Sequence, residues 1–338
     1  MDLLPNEDEL AIVSAVGELV ERTFPREQIR AYAREPDMVT ADAWARMAEI
    51  GLFGLGIDEE AGGVGLGLAQ EVLAFRELGR GVASGPFLPS LLAARIAAGA
   101  GDQSLLEGLL GGEAQVGLAV LRTGATFADG VLSGDVYLVD ATAAELVLVI
   151  GKRESALLRR ADLGAVERAE AVDPGTHLER VSVPGATAVA RAGDTGLRSR
   201  ALVLAAAYLA GIAEASRDTS VAHATVREQF GRPIGVNQAI KHRCADMAVQ
   251  AEAAASQALY AAAATDAGLN DAAFQAEVAL RIASQAAVEN SQNTIQVLGG
   301  VGFTWEYDAH LYVKRARLWS GVFAGSTDDR LILEAALA

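Results

Sequence analysis

Three long, alanine-rich segments near the C-terminus constrain the fold more than any other feature: RALVLAAAYLAGIAEASRDTSVAHATV (200–226), QAIKHRCADMAVQAEAAASQALYAAAAT (238–265) and AAFQAEVALRIASQAAVENSQNTIQVL (272–298). Each carries apolar or small residues around most of its circumference, which predicts buried helices whose backbones pack closely. Together they predict an antiparallel four-helix bundle. None reads as a membrane span, because Gly or charge interrupts every apolar window before the ~18–20 residues a bilayer requires.

Upstream, residues 6–111 also read as helical. ELAIVSAVGELVERTF, TADAWARMAEIGLF and AQEVLAFRELGRG place apolar residues at i, i+3 and i+4, each closed by Gly or Pro. The Gly-rich EEAGGVGLG (59–67) follows no strand and does not fit a dinucleotide fingerprint, so it reads as a turn. From about residue 114 the pattern becomes short β-rich runs, namely VGLAVL, GVLSGDVYLV, AELVLVI and HLERVSVPG. The expected architecture is therefore mainly α with a small β domain: an N-terminal helical domain (1–113), a middle β domain (114–195) and a C-terminal helical bundle (196–338).

A formal charge of −16 argues against nucleic acid or an anionic membrane as the main partner, since both require a basic face. The lone Cys244 rules out a disulfide framework and fits a reducing compartment; it reads as a buried thiol in an apolar helix. The acidic start MDLLPNEDEL lacks the basic and apolar regions of a signal peptide, so the expectation is a cytoplasmic protein. His177, His223, His242 and His310 show no ligand spacing.

Two stretches are denser in chemistry than helix connectors need. VREQFGRPIGVNQAIKHR (226–243) sets Arg227, Gln229, Phe230 and Gln238 among Gly231, Pro233 and Gly235. QVLGGVGFTWEYDAHLYVKRAR (296–317) brings Gly299, Gly300 and Gly302, which permit close backbone approach to a ligand. Together these motifs, with IGLFGLGIDEEAGGVGLG (50–67), resemble the acyl-CoA dehydrogenase family of flavoproteins over essentially the whole chain. The resemblance implies that FAD binds at a subunit interface. Arg227 and Gln229 would contact its phosphates and adenosine, and Phe230, Ile234 and Gln238 would line the adenine side. Gln296, Gly299 and Gly300 would meet the pyrophosphate of the neighbouring subunit's FAD, with Ser326 passing near the flavin.

Family members oxidise an acyl-CoA thioester to its 2,3-enoyl form and pass electrons to electron-transfer flavoprotein, using a glutamate to remove the α-proton. That glutamate commonly sits in a Tyr-Glu-Gly-Thr loop. The loop falls here on Phe323-Ala324-Gly325-Ser326, which places Ala324 at the base position. Other members carry the glutamate 26 residues before the motif arginine, and that position is Ala201. An alanine moves no proton, and loss of a general base typically costs ~10²–10⁴ in rate. The flavin-covering loop is also short, LRTGATFADG (121–130), and Leu138 and Asp140 stand near the family's Trp and Thr flavin contacts. Asp328 replaces a family Gln that contacts FAD; with Asp329 it reads as a helix cap.

Three functions stay open. The chain is the base-lacking subunit of a heteromeric α2β2 acyl-CoA dehydrogenase, resembling actinobacterial enzymes of bulky steroid or side-chain CoA thioesters. Alternatively it is a self-sufficient homo-oligomer with a relocated base such as Glu306 or Asp140, Glu306 having as its plain alternative an ion pair with Lys314 or Arg315. Thirdly, it is a structural partner without flavin.

Overall fold

The structure, a computed structural model, describes residues 6–32, 40–193 and 196–323. Six helices come first: α1 (Glu7–Thr23), α2 (Arg26–Tyr32), α3 (Ala41–Glu49), α4 (Leu68–Arg80), α5 (Phe87–Ala100) and α6 (Gln103–Leu110). Eight strands follow: β1 (Val116–Leu121), β2 (Thr126–Ala128), β3 (Val131–Val139), β4 (Leu146–Ile150), β5 (Ser155–Arg159), β6 (Val166–Ala169), β7 (Leu178–Thr187) and β8 (Ala190–Ala192). The chain then forms α7 (Leu197–Val226), the short strands β9 (Glu228–Gln229) and β10 (Arg232–Pro233), α8 (Gln238–Asp266), α9 (Ala272–Leu298) and α10 (Ala309–Val322). The mainly α architecture with one small sheet region and four long C-terminal helices is as expected.

The described residues divide into two compact units. One draws on residues 31–71 and 84–201. Its sheet runs β6-β7-β3-β1-β4-β5-β8 with β2 added on β3; every pairing is antiparallel except that of β1 with β4. Alternate residues of the strands, such as Val136, Leu138, Val147, Val149, Val181 and Val183, turn one face into a core. The Val116 N–H donates to Ser90 Oγ (3.0 Å), tying the start of β1 to α5. Thr40 caps α3 by accepting from Ala43 N–H, and Gly101 in a left-handed conformation ends α5. An aromatic cluster of Trp44, Phe53 and Phe87 fills the space beside them. In EEAGGVGLG a Cβ on Gly63 would lie 2.1 Å from Ile57 O, so this turn needs glycine for packing and no ligand accounts for it.

The other unit draws on residues 1–30, 72–83 and 202–338. Its helices meet through backbone. A Cβ on Gly79 of α4 would lie 1.9 Å from Tyr208 O of α7, and one on Gly211 would lie 2.0 Å from Arg76 O. This reciprocal contact explains the small residues along both helices. At the centre, Asn290 of α9 donates to Ala213 O of α7 (3.1 Å) and Met247 O of α8 (2.9 Å), while Thr294 donates to Ser216 O (2.9 Å). These buried amides and hydroxyls fix the register of three otherwise alanine-rich faces. On α10, Arg315 is buried and donates to Val82 O (3.2 Å), Ala83 O (2.8 Å) and the Tyr208 hydroxyl. Cys244 differs from expectation: it is half-buried, because its stretch of α8 presents much of its surface outward.

Candidate functional site

The stretch that follows α7 is a minimal hairpin. Arg232 pairs with Gln229 and Pro233 with Glu228, and Ile234 N–H donates to Arg227 O (2.8 Å). Its two turn residues, Phe230 (φ 54°) and Gly231 (φ 75°), are both left-handed, the geometry that matches the twist of flanking strands. For Gly231 that conformation is free, but for an aromatic residue it is strained. The strained phenylalanine is also fully exposed at the hairpin tip. Burying a phenyl ring is worth ~2 kcal/mol or more, so a ring held outward in an unfavourable backbone conformation is a surface made for something else.

Arg227, Gln229 and Gln238 are exposed as well, and Ile234 is half-buried. Within 227–243 the charged residues are Arg227, Arg232, Lys241 and Arg243 against Glu228 alone, a basic island in a chain of charge −16. The first turn of α8 adds the positive end of a 29-residue helix. Burial and the neighbouring Arg227 charge push the His223 imidazole below its usual range.

The second motif lies at the same end of the helical pair. Side chains link α8 and α9 at Arg243 with Asn293, Gln250 with Glu289 and Gln257 with Gln275, an antiparallel register that sets the start of α8 opposite the end of α9. Gln296, Gly299 and Gly300 therefore share that end with Gln238 and the hairpin, and all three are exposed. Gly299 (φ 67°) is left-handed and so requires glycine, whereas a Cβ on Gly300 would meet nothing within 4 Å. Among the described residues no crowding accounts for the bare backbone at Gly300, which leaves room for a group from elsewhere. Val301, Phe303 and Trp305 continue the exposed apolar surface.

Of the two candidate base positions only Ala201 lies among the described residues, and its methyl side chain accepts no proton. Ala201 is fully buried on α7, and the residues after it through Ser216 are buried too. Ala324 and Ser326, like Asp328 and Asp329, lie outside the described residues. Glu306 is exposed, and among the described residues it forms neither of the expected ion pairs: Lys314 sits over the Trp305 ring (4.8 Å), and Arg315 is turned into the core. The Asp140 carboxylate accepts the His177 backbone N–H (2.8 Å), a bond that braces the left-handed turn after β3. Among the described residues no cluster of His, Cys, Asp or Glu is arranged to hold a metal. What sequence reasoning missed is Arg315, since a basic residue in KRARLW looks like surface.

Family matches cover most of the chain. Residues 6–110 match the acyl-CoA dehydrogenase N-terminal domain, and residues 196–331 match the acyl-CoA dehydrogenase C-terminal domain. The chain belongs to the acyl-CoA dehydrogenase family. It is 33% identical over 317 residues to acyl-CoA dehydrogenase IpdE2 of Mycobacterium tuberculosis, covering 93% of this chain and 92% of that protein. It is 36% identical over 299 residues to acyl-CoA dehydrogenase FadE34 of the same organism; the match covers 85% of this chain but spans only 41% of that relative's length. The fold also matches a chain of the ChsE4-ChsE5 complex from M. tuberculosis, with a TM-score of 0.87 at 23% identity and full coverage of both chains. Members of this acyl-CoA dehydrogenase family bind FAD and are oxidoreductases. Among the described residues of this member, no helix is long and apolar enough to cross a membrane.

Proposed function

We propose that this chain is the base-lacking subunit of a heteromeric acyl-CoA dehydrogenase acting in α,β-desaturation of an acyl-CoA thioester. The observation that carries the reading is a contrast along α7: an exposed basic hairpin at its end, and a buried alanine, Ala201, at one of the two positions where the family keeps its base. The residues present fit FAD, because the island of Arg227, Arg232 and the α8 N-terminus neutralises a pyrophosphate and the open backbone at Gly299 and Gly300 lets one come close. In this reading Arg227 and Gln229 hold phosphate and adenosine, while Phe230, Ile234 and Gln238 form the wall along the adenine. Gln296, Gly299, Gly300 and Ser326 serve a cofactor shared with the adjoining subunit.

Bound FAD supplies the hydride acceptor at its flavin N5. This chain's residues orient and neutralise it, and Phe230 and Phe303 exclude water once covered. The α-proton goes to a carboxylate of a homologous subunit, because neither Ala201 nor Ala324 can accept it. That ChsE4 and ChsE5 form a complex supports a two-subunit assembly. Electron-transfer flavoprotein is the proposed acceptor, and the cytoplasm the proposed location.

Co-expression with a homologous subunit that carries the glutamate tests the proposal. A copurifying complex that contains FAD and oxidises acyl-CoA is the expected result. A flavin-loaded homo-oligomer of this chain that desaturates acyl-CoA unaided would refute it. That second outcome would favour Glu306, whose carboxylate is exposed and lacks the ion pairs that would otherwise occupy it; Glu306→Gln would then abolish turnover and leave the flavin absorbance in place.

A further inference from the structure

One turn in the unit that holds α7 to α10 has a conformation its own residue does not favour. Val82, buried just past the end of α4, has φ 53°. Of the described non-glycine residues in the left-handed region it is the only β-branched one, and for such a side chain that region is strained. Glycine is the usual residue where a helix ends this way. Strain of this kind persists only where the surroundings impose it, and here they include Arg315 and Tyr208. The Arg315 guanidinium donates to the carbonyls of Val82 (3.2 Å) and Ala83 (2.8 Å) and to the Tyr208 hydroxyl, which itself donates to Ala83 O (2.8 Å). One residue each from α7 and α10 thus grips the end of α4.

The grip continues along α10. The Tyr208 ring stacks on Trp319 (centroids 4.9 Å apart, planes at 25°), and Trp319 stacks on Phe323 (6.0 Å, 27°). Trp319 and Phe323 are spaced i, i+4 on one helical face, so the three rings form a single column that ends at the last described residue. Phe323 is buried there. Ser326, which serves the shared cofactor in the proposed function, follows by three residues, and three residues reach at most about 10 Å. Where Phe323 is fixed therefore limits where Ser326 can lie.

We propose that Arg315 and Tyr208 are positioning residues for the cofactor site: by tying the aromatic column to the strained turn they set Phe323, and through it the segment 323–326, against FAD. The inference rests on the proposed function. Its test is titration of FAD, followed by flavin fluorescence, into the FAD-stripped complex of the full chain with a glutamate-bearing homologous subunit. Tyr208→Phe keeps the ring but removes the hydroxyl, and should weaken FAD binding about fivefold. Arg315→Met should do the same, and the double variant should add little to either, because both act through one clamp. Ser90→Ala, which takes the acceptor from the buried Val116 N–H in the other unit, should lower the melting temperature comparably and leave FAD affinity at the wild-type value. If Arg315→Met fails to fold, Tyr208→Phe decides alone. Wild-type FAD affinity in Tyr208→Phe, or an equal loss in Ser90→Ala, overturns the inference while the proposed function stands; a wild-type complex that takes up no FAD overturns both.

Discussion

The two ends of α7 differ in every respect that matters for chemistry. From Ala201 to Ser216 all residues are buried, and the helix is packed so tightly that α4 touches its backbone at Gly211. From Arg227 to Arg232, just past its last residue, all are exposed, and a strained phenylalanine stands at the tip. Packing selects small and apolar groups at the first end, and alanine at position 201 is what such packing favours. Among the described residues no packing selects the Arg227 and Phe230 side chains or the bare backbone at Gly300. Under the proposed function the contrast means that the site has divided, its cofactor-holding surface kept where a partner or ligand demands it and one base position absorbed into the core.

Variants at the two ends should therefore fail differently. The largest effect is expected at the packed end. In Gly211→Val a Cβ would lie 2.0 Å from Arg76 O, so α4 and α7 must separate; the loss should reach ~3 kcal/mol, visible as a marked fall in melting temperature. Arg315→Met should cost about 2–3 kcal/mol in denaturant unfolding, because it leaves Val82 O, Ala83 O and the Tyr208 hydroxyl without their charged donor.

At the exposed end the order reverses. Arg227→Ala should move stability by no more than ~0.5 kcal/mol, as for surface positions generally, yet weaken FAD binding by ~10-fold or more through loss of a charge-assisted phosphate contact. Equal loss of stability and of FAD would erase the distinction between the two ends. The smallest effect belongs to Asp218, partly exposed on α7. Burial pushes its carboxyl up, but hydrogen bonds from Arg217 and Arg80 outweigh burial and hold it below the usual range. A depressed carboxylate stabilises the fold above its unfolded pKa and loses that contribution as pH falls through the folded one. Asp218→Asn should thus cost under about 1 kcal/mol at neutral pH, screened by solvent, and the difference from wild type should vanish in acid.

Legibility in the sequence follows the same divide. The three alanine-rich helices were readable because apolar residues on every side have one physical use, and β1, β3, β4 and β7 because they are short β-rich runs bounded by Gly, Asp or Pro. β2 and β8, each of three residues, carry too little pattern to read. The motif residues stood out through glycine and charge, but that Phe230 and Gly231 close a hairpin depends on two positive φ angles which spacing does not encode. Arg315 was unreadable for a different reason: its partners are two carbonyls more than 200 residues away and a tyrosine on another helix, so only the tertiary fold makes its burial affordable. The missing ion pair of Glu306 has the same origin, since burying Arg315 removes one of its two expected partners.

The central claim, that this chain holds cofactor but supplies no base, is tested most directly by flavin bleaching in the assembled complex. The chain is purified with a glutamate-bearing homologous subunit, and again with that subunit's catalytic glutamate changed to glutamine, and each complex is mixed anaerobically with acyl-CoA. The account predicts that the flavin absorbance bleaches in the first complex and persists in the second. Bleaching in both would mean that this chain provides a base of its own, and would contradict it.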